Sequence, residues 1–197
     1  MNLLPRIAIV GDSYTGKTTI IEKIMYPNMT PDKLSDPTIG AELHRVVIKN
    51  NPYYIWDISG NKNYMRICSV YVRNADVCVF VFDVTNPESF RNMVVWYENT
   101  KRYMQSHTSM IVIGNKTDQK SKRSIHLDAA TEFAHSIGAV YMDLNVYNDN
   151  LIRDFEEYVD NIQNMVQPIT QMLVTEETVQ TSNVNSGSLL CGHCSII

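Results

Sequence analysis

No apolar run in this chain approaches the roughly 20 residues needed to cross a bilayer as a helix, so a membrane-spanning protein is not expected. An excess of basic charge is missing too. Seventeen Lys and Arg face 21 Asp and Glu, for a net charge of −4, which gives no support for a nucleic-acid-binding surface. Cysteine is scarce. The four present form no disulfide framework, which points to a reducing compartment. Cys68 and Cys78 sit in apolar surroundings and read as small buried hydrophobes. The start, Met1 to Arg6, has its apolar stretch broken early by Pro5 and Arg6 and does not resemble a signal peptide. No internal repeat is visible. What remains is a chain of 197 residues, 44% hydrophobic, sufficient for one globular domain with a tail.

Gly11-Asp12-Ser13-Tyr14-Thr15-Gly16-Lys17-Thr18 reads G-x-x-x-x-G-K-[ST], a phosphate-binding loop. It has the context such a loop requires. A short apolar run, Ile7 to Val10, precedes it, and a helical pattern follows from Thr18 to Ile24. Backbone N–H groups of Ser13, Tyr14, Thr15, Gly16 and Lys17 can then face phosphate oxygens at the positive end of a helix, with Thr19 next in line. Lys17 can reach the β- and γ-phosphates, and the Thr18 hydroxyl can meet Mg²⁺.

Strand and helix patterns alternate along the chain. Strands are expected over 5–10, 42–49, 53–58, 76–82, 110–114 and 139–144, with a turn at Asn50-Asn51-Pro52. Helices are expected over 17–25, from Asn86-Pro87 onward, over 127–137, and over 149–165. The proline-bearing stretch 27–40 reads as a long loop. This alternation predicts an α/β fold, a three-layer sandwich with a mostly parallel six-stranded sheet and helices on both faces. Binding loops belong at the carboxyl ends of such strands. Residues 1–167 are read as this domain. From Pro168 to Ile197 the pattern dissolves into a polar tail expected to be flexible.

Two further motifs fall at strand ends. Trp56-Asp57-Ile58-Ser59-Gly60 places a carboxylate, Asp57, where it can hold Mg²⁺ through a water, and a glycine whose N–H can approach a γ-phosphate. Asn115-Lys116-Thr117-Asp118 supplies a carboxylate that can accept from both N1–H and the exocyclic amine of guanine. Adenine lacks that donor pair and would leave the carboxylate unpaired, a strong basis for rejection. The Lys116 stem can lie along the base, and Asn115 can tie this loop to the phosphate loop.

On these residues the chain resembles the small Ras-like GTPases, and within them the Rab branch, over roughly residues 5–165 and the terminal cysteines. Thr38-Ile39-Gly40-Ala41-Glu42-Leu43, Tyr54 to Gly60, Tyr71 to Ala75 and Phe82 to Asn86 are similar to Rab segments. The resemblance implies a switch that binds GTP or GDP with Mg²⁺ and hydrolyses GTP. Thr38 would coordinate the metal and sense the γ-phosphate, and the loops at Thr38 and Gly60 would relax after hydrolysis. Leu43, Trp56 and Tyr71 would form the apolar triad facing effectors, with Leu43 in place of a usual Phe. An exchange factor, a GTPase-activating protein and a carrier for prenylated proteins are the implied partners.

The chain departs from the family in three places. Asn61 replaces the Gln that orients the attacking water and is shorter by roughly 1.5 Å of reach. Slow hydrolysis is expected, with catalysis resting on Asn61, Lys17 and Gly60 unless an activating protein supplies a Gln. Tyr14 stands where the family has a small residue; its ring either lies over the phosphates and slows exchange, or points to solvent. Asn145-Val146-Tyr147 stands where the family has Ser-Ala-Lys. The Val146 N–H can still meet the guanine carbonyl, while Tyr147 loses a covering stem. Tyr26 or Met29 is the candidate for stacking beside the base.

The end of the chain, Cys191-Gly192-His193-Cys194-Ser195-Ile196-Ile197, fits C-a-a-X at Cys194, with Cys191 available for a second lipid. One chain binds membranes only marginally, and two anchor stably. The C-G-H-C spacing also matches a redox motif, but no helix can follow it, and an unmodified free end is the plain alternative. The expectation is a cytoplasmic protein reversibly held on membranes by prenyl groups. Two rival readings remain: a scaffold of the same fold that holds GTP without turnover, and a phosphate-loop ATPase or kinase.

Overall fold

The structure is a computed structural model that describes residues 4–30 and 36–162. They lie within one compact unit, Met1–Gln163. The expected tail at 168–197, with Cys191 and Cys194, falls outside the described residues.

Six strands form one sheet: β1 (Arg6–Val10), β2 (Ala41–Ile48), β3 (Asn51–Ile58), β4 (Val77–Asp83), β5 (Ser109–Asn115) and β6 (Val140–Asp143). Their order is β2-β3-β1-β4-β5-β6. Among the described residues, only β2 and β3 pair antiparallel, and the other pairings are parallel. The sheet is thus mostly parallel, as the alternation of elements predicts. Its helices are α1 (Lys17–Met25), α2 (Met65–Val72), α3 (Pro87–Thr100), α4 (Leu127–Ser136) and α5, helical over the described residues 149–162.

Strand composition explains the layering. All seven residues of β4 are buried, as a strand covered on both faces must be. Because side chains alternate across a strand, Ala8, Val10, Cys78, Phe80, Phe82 and Val112 share one face. There they form a core with Cys68 and Val72 of α2, Met93 and Trp96 of α3, and Ala130 and Ala134 of α4. Ile7, Ile9, Val79, Val81, Ile111 and Ile113 are equally buried on the other face. Helix α1 packs on that side of the sheet, against β2 and β3.

Local chemistry sets the element ends. Asn86 caps α3: its Oδ1 accepts from the Glu88 N–H at 3.0 Å, and Pro87 takes the first helical position, as the sequence indicates. The β2–β3 turn is displaced by one residue from the expected Asn50-Asn51-Pro52. Lys49 and Asn50 both adopt positive φ, 47° and 70°, and make the two-residue turn. Asn51 and Pro52 therefore belong to β3. Pro52 lies beyond the end of β1, whose pairing with β3 begins at Tyr54, so its missing N–H breaks no ladder.

Helix α2 was not anticipated from sequence. Its signal is the spacing of Met65, Cys68 and Val72, which puts two fully buried residues and a partly buried one on a single face. The reading of Cys68 and Cys78 as buried hydrophobes agrees with the structure, where neither is exposed. Burial pushes the Cys68 thiol up to about 11 and the Cys78 thiol higher still, so both stay protonated and unreactive.

Helix α5 is tied to the β2–β3 hairpin by polar contacts. Asp160 Oδ1 accepts from Asn51 Nδ2 at 2.7 Å and from the hydroxyl of Tyr53 at 2.8 Å. Tyr53 is 1% exposed, so without Asp160 its hydroxyl would be buried and unpaired. Asp160→Ala is expected to cost about 1–3 kcal/mol in urea unfolding, and adding Tyr53→Phe should recover part of the loss.

Candidate functional site

Four loops at the carboxyl ends of β1, β3 and β5 and after β6 converge with residues 36–39 on a cavity of about 660 Å³. That volume suits a nucleotide-sized ligand. The sheet order places β1 beside both β3 and β4, which brings the loop of residues 11–16 next to Gly60.

The loop after β1 folds over the start of α1. Gly16 has φ 93°, and no side chain caps the helix. Its first-turn N–H groups are thereby left to an anion at the positive end of the helix. Gly16 also has no room for a side chain, since a Cβ would lie 2.3 Å from Asn115 Nδ2. Tyr14 takes a left-handed conformation, φ 64°, that aromatic residues rarely adopt. Its ring is 60% exposed, at the mouth of the cavity.

Lys17 is 6% exposed. Its Nζ donates to the carbonyls of Gly11, at 3.0 Å, and Asp12, at 2.8 Å. Burial pulls the ammonium down to about 8, offset in part by the carboxylates of Asp57 and Asp12. An anion entering the cavity would restore what burial removes from the charged form.

Three oxygen-bearing side chains meet below Lys17. The Thr18 hydroxyl donates to Asp57 Oδ2 at 2.5 Å, the Thr38 hydroxyl donates to the same oxygen at 3.2 Å, and the two hydroxyls lie 3.1 Å apart. Asp57 is fully buried, and its Oδ1 has no hydrogen-bond partner among the described residues. A buried carboxylate oxygen left unpaired is costly unless a ligand completes it. Gly60 presses against the loop after β1, where a Cβ would fall 2.2 Å from both the Asp12 carbonyl carbon and the Ser13 nitrogen. Asn61 lines the cavity, but its Oδ1 accepts from the Asn63 N–H at 3.0 Å and so caps the short turn Lys62–Tyr64.

The loop after β5 closes the far side. Asn115 Nδ2 donates to the Thr15 carbonyl at 2.8 Å, while its buried Oδ1 has no partner among the described residues. Lys116 Nζ donates to the Tyr14 carbonyl at 2.7 Å and pairs with Asp83 at 2.8 Å. Asp118 lines the cavity beside Val146 and Tyr147. Asn145 holds that last turn, its Oδ1 accepting from the Tyr147 N–H at 2.8 Å.

The structure thus gathers the residues singled out from sequence, with some differences of rank. Ser13, Tyr14, Gly16, Lys17, Thr18, Thr19, Thr38, Gly60, Asn61, Lys116, Asp118, Val146 and Tyr147 line the cavity directly, as does Asn115. Thr15, Asp57 and Asn145 support the lining from behind. Neither Tyr26 nor Met29 is among the lining residues, while Tyr147 is an aromatic at the rim. Leu43 pairs with Trp56 across the β2–β3 ladder, and the Trp56 and Tyr71 rings are 4.6 Å apart, so the three are clustered with Leu43 47% exposed. Ser59, Tyr64 and Gln119 also line the cavity and were not foreseen. The role of Asp12 was missed as well: both its carboxylate oxygens are bonded to α3. The spacing of Asn92 and Trp96 puts them on one helical face, but no sequence signal names Asp12 as their partner.

A family model described as the Ras family matches residues 6–175. The Ras-related protein Rab-31 of Mus musculus is 26% identical over 195 residues, covering 97% of this chain and 93% of that protein. The Ras-related proteins RABA4a and RABA4b of Arabidopsis thaliana are 29% and 28% identical, covering 93% and 82% of this chain and 81% and 73% of their own lengths.

Asn115→Ala strips the partner from a carbonyl of Thr15, a residue 1% exposed. It is expected to lower stability by about 1–3 kcal/mol in chemical unfolding, even without ligand.

Proposed function

Because the chain belongs to the Ras family of small GTPases, with Rab-branch proteins as relatives, we propose that it is a switch that binds GTP and GDP with Mg²⁺, hydrolyses GTP slowly, and recruits effectors in membrane trafficking. The observation that carries this reading is the meeting of the Thr18 and Thr38 hydroxyls on one oxygen of the buried Asp57 carboxylate, whose other oxygen has no partner among the described residues.

That donor set fits Mg²⁺. The ion is hard, prefers oxygen, and keeps several waters, so the Thr18 and Thr38 hydroxyls would hold it directly and the Asp57 carboxylate through a water. When bound, such an ion would offset the negative charge of the phosphates. The protein's own groups do the rest. The first-turn N–H groups of α1 and the Lys17 ammonium bind the phosphates, and the Gly60 N–H approaches the γ-phosphate. Asp118 accepts from guanine N1–H and its amine. The Lys116 stem and the Tyr147 ring flank the base, with the Val146 N–H toward its carbonyl. Hydrolysis proceeds by positioning and electrostatics, without a covalent intermediate.

Asn61 governs the rate. It is short, and its carboxamide oxygen is already engaged by the Asn63 N–H. Orienting a water would require giving up that cap. The same observation favours a second reading, a scaffold that retains GTP; the nucleotide content of the purified protein over hours separates the two. Asp118 and Asn115 argue against an ATPase or kinase.

Leu43, Trp56 and Tyr71 form the surface for effectors, with an exchange factor, an activating protein and a prenyl carrier as further partners. No described helix is long and apolar enough to cross a membrane. In this reading residues 1–167 form the GTPase domain. Residues 168–197 carry lipid at Cys194, with Cys191 as a second site, and hold the protein on the cytosolic face.

Two measurements test the proposal. Calorimetry with Mg²⁺ present should show guanosine nucleotides bound at least about 10⁴-fold more tightly than adenosine ones, and Asp118→Ala should erase most of that difference. Equal affinity for both would overturn the guanine assignment. In single-turnover assays, hydrolysis should be slower than the roughly 10⁻⁴ s⁻¹ of an unassisted small GTPase, and Asn61→Gln should raise it severalfold. A rate unchanged or lowered by Gln would refute the role given to Asn61.

A further inference from the structure

Asp12 is a negative charge built into a loop that must hold phosphates. An exposed carboxylate there would repel the ligand. In this structure both its oxygens are turned to α3. Oδ1 accepts from the indole N–H of Trp96 at 2.7 Å, and Oδ2 accepts from Asn92 Nδ2 at 2.6 Å. Trp96 is fully buried, so its N–H has no water to fall back on. Hydrogen bonds to a charged acceptor are the stronger kind.

The backbone of the same residue is also committed. The Asp12 carbonyl accepts from Lys17 Nζ at 2.8 Å and from the Thr15 hydroxyl at 2.9 Å. Its carbonyl carbon lies so close to Gly60 that a Cβ there would fall 2.2 Å from it. Asp12 therefore joins four things: the phosphate loop, the lysine that reaches the phosphates, the Gly60 loop, and α3. Helix α3 in turn packs on α2, the element that follows Gly60 and Asn61.

We propose that the Asp12 carboxylate, latched to Asn92 and Trp96, is a positioning group for the bound nucleotide: it fixes the phosphate loop on α3 and keeps its own charge turned away from the phosphates. The inference rests on the nucleotide-binding reading above. Without the two donors the carboxylate is released toward the anion site, and the carbonyl that orients Lys17 loses its anchor. Without the carboxylate, the loop loses its hold on α3. Either loss speeds nucleotide release.

The experiment follows release of a fluorescent N-methylanthraniloyl GDP from the full chain with Mg²⁺. Asp12→Ala and the pair Asn92→Leu with Trp96→Phe should each raise the dissociation rate about tenfold, the scale of losing hydrogen bonds to a charge. Combining all three should be no worse than the more severe of the two, because they cut the same link. Asp12→Asn, whose carboxamide can accept from Trp96 while Asn92 turns to accept from it, should fall between wild type and Asp12→Ala. Trp96→Phe alone, which keeps the ring in the core, serves if the paired variant does not fold, and should still quicken release. A merely structural role would lower the melting temperature and leave release unchanged; that result, or rates that multiply in the combined variant, would overturn the latch. If wild type fails to bind the probe at all, the nucleotide-binding reading itself falls.

Discussion

An ammonium group buried at Lys17 is the constraint around which the rest of the site is arranged. Taking that charge out of water is expensive, and two backbone carbonyls, Gly11 and Asp12, compensate only partly. Both carbonyls must be held in place, so the loop that bears them is fastened on every side. Asn115 fastens it through Thr15, Lys116 through Tyr14, and α3 through the Asp12 carboxylate. The open first turn of α1 and the unpaired oxygen of Asp57 complete a site whose electrostatics call for an anion and a cation together.

Most of the architecture could be read from periodicity and punctuation. The continuous apolar run at β4 and the Asn86-Pro87 start of α3 are strong local signals, and both elements form where expected. The misses have physical causes. The hairpin turn moved by one residue because Lys49 and Asn50, rather than the residues around Pro52, take positive φ. Helix α2 was overlooked because it is short and its apolar face rests on only a few positions, Cys68 and Val72 chief among them.

Legibility within the site follows the same division. Gly16, Lys17, Thr18, Asn115 and Asp118 are named by motifs, since each chemical task demands a residue type at a fixed spacing. Asp12 fills an unspecified position of its motif, and its partners are 80 and 84 residues away. No pattern in one sequence links residues at that distance. Asn61 shows the opposite limit. Its substitution is obvious in the sequence, but only the fold reveals that its carboxamide oxygen is committed to Asn63. Tyr14 lies between: the sequence marks it as unusual, and the structure adds a left-handed backbone that a residue with a Cβ holds only at some cost.

Among the described residues, strand β2 closes one side of the sheet with no strand beyond it. Half of its backbone polar groups thus stand ready to zip onto another extended chain, and Leu43 and Val47 offer apolar side chains at the same margin. Glu42 and Arg45, both exposed along that strand, stand as gatekeepers against such pairing. A second copy arriving edge to edge would have to dehydrate a carboxylate and a guanidinium before gaining a ladder. The same margin that leaves the fold open to edge-to-edge pairing thereby carries its own deterrent.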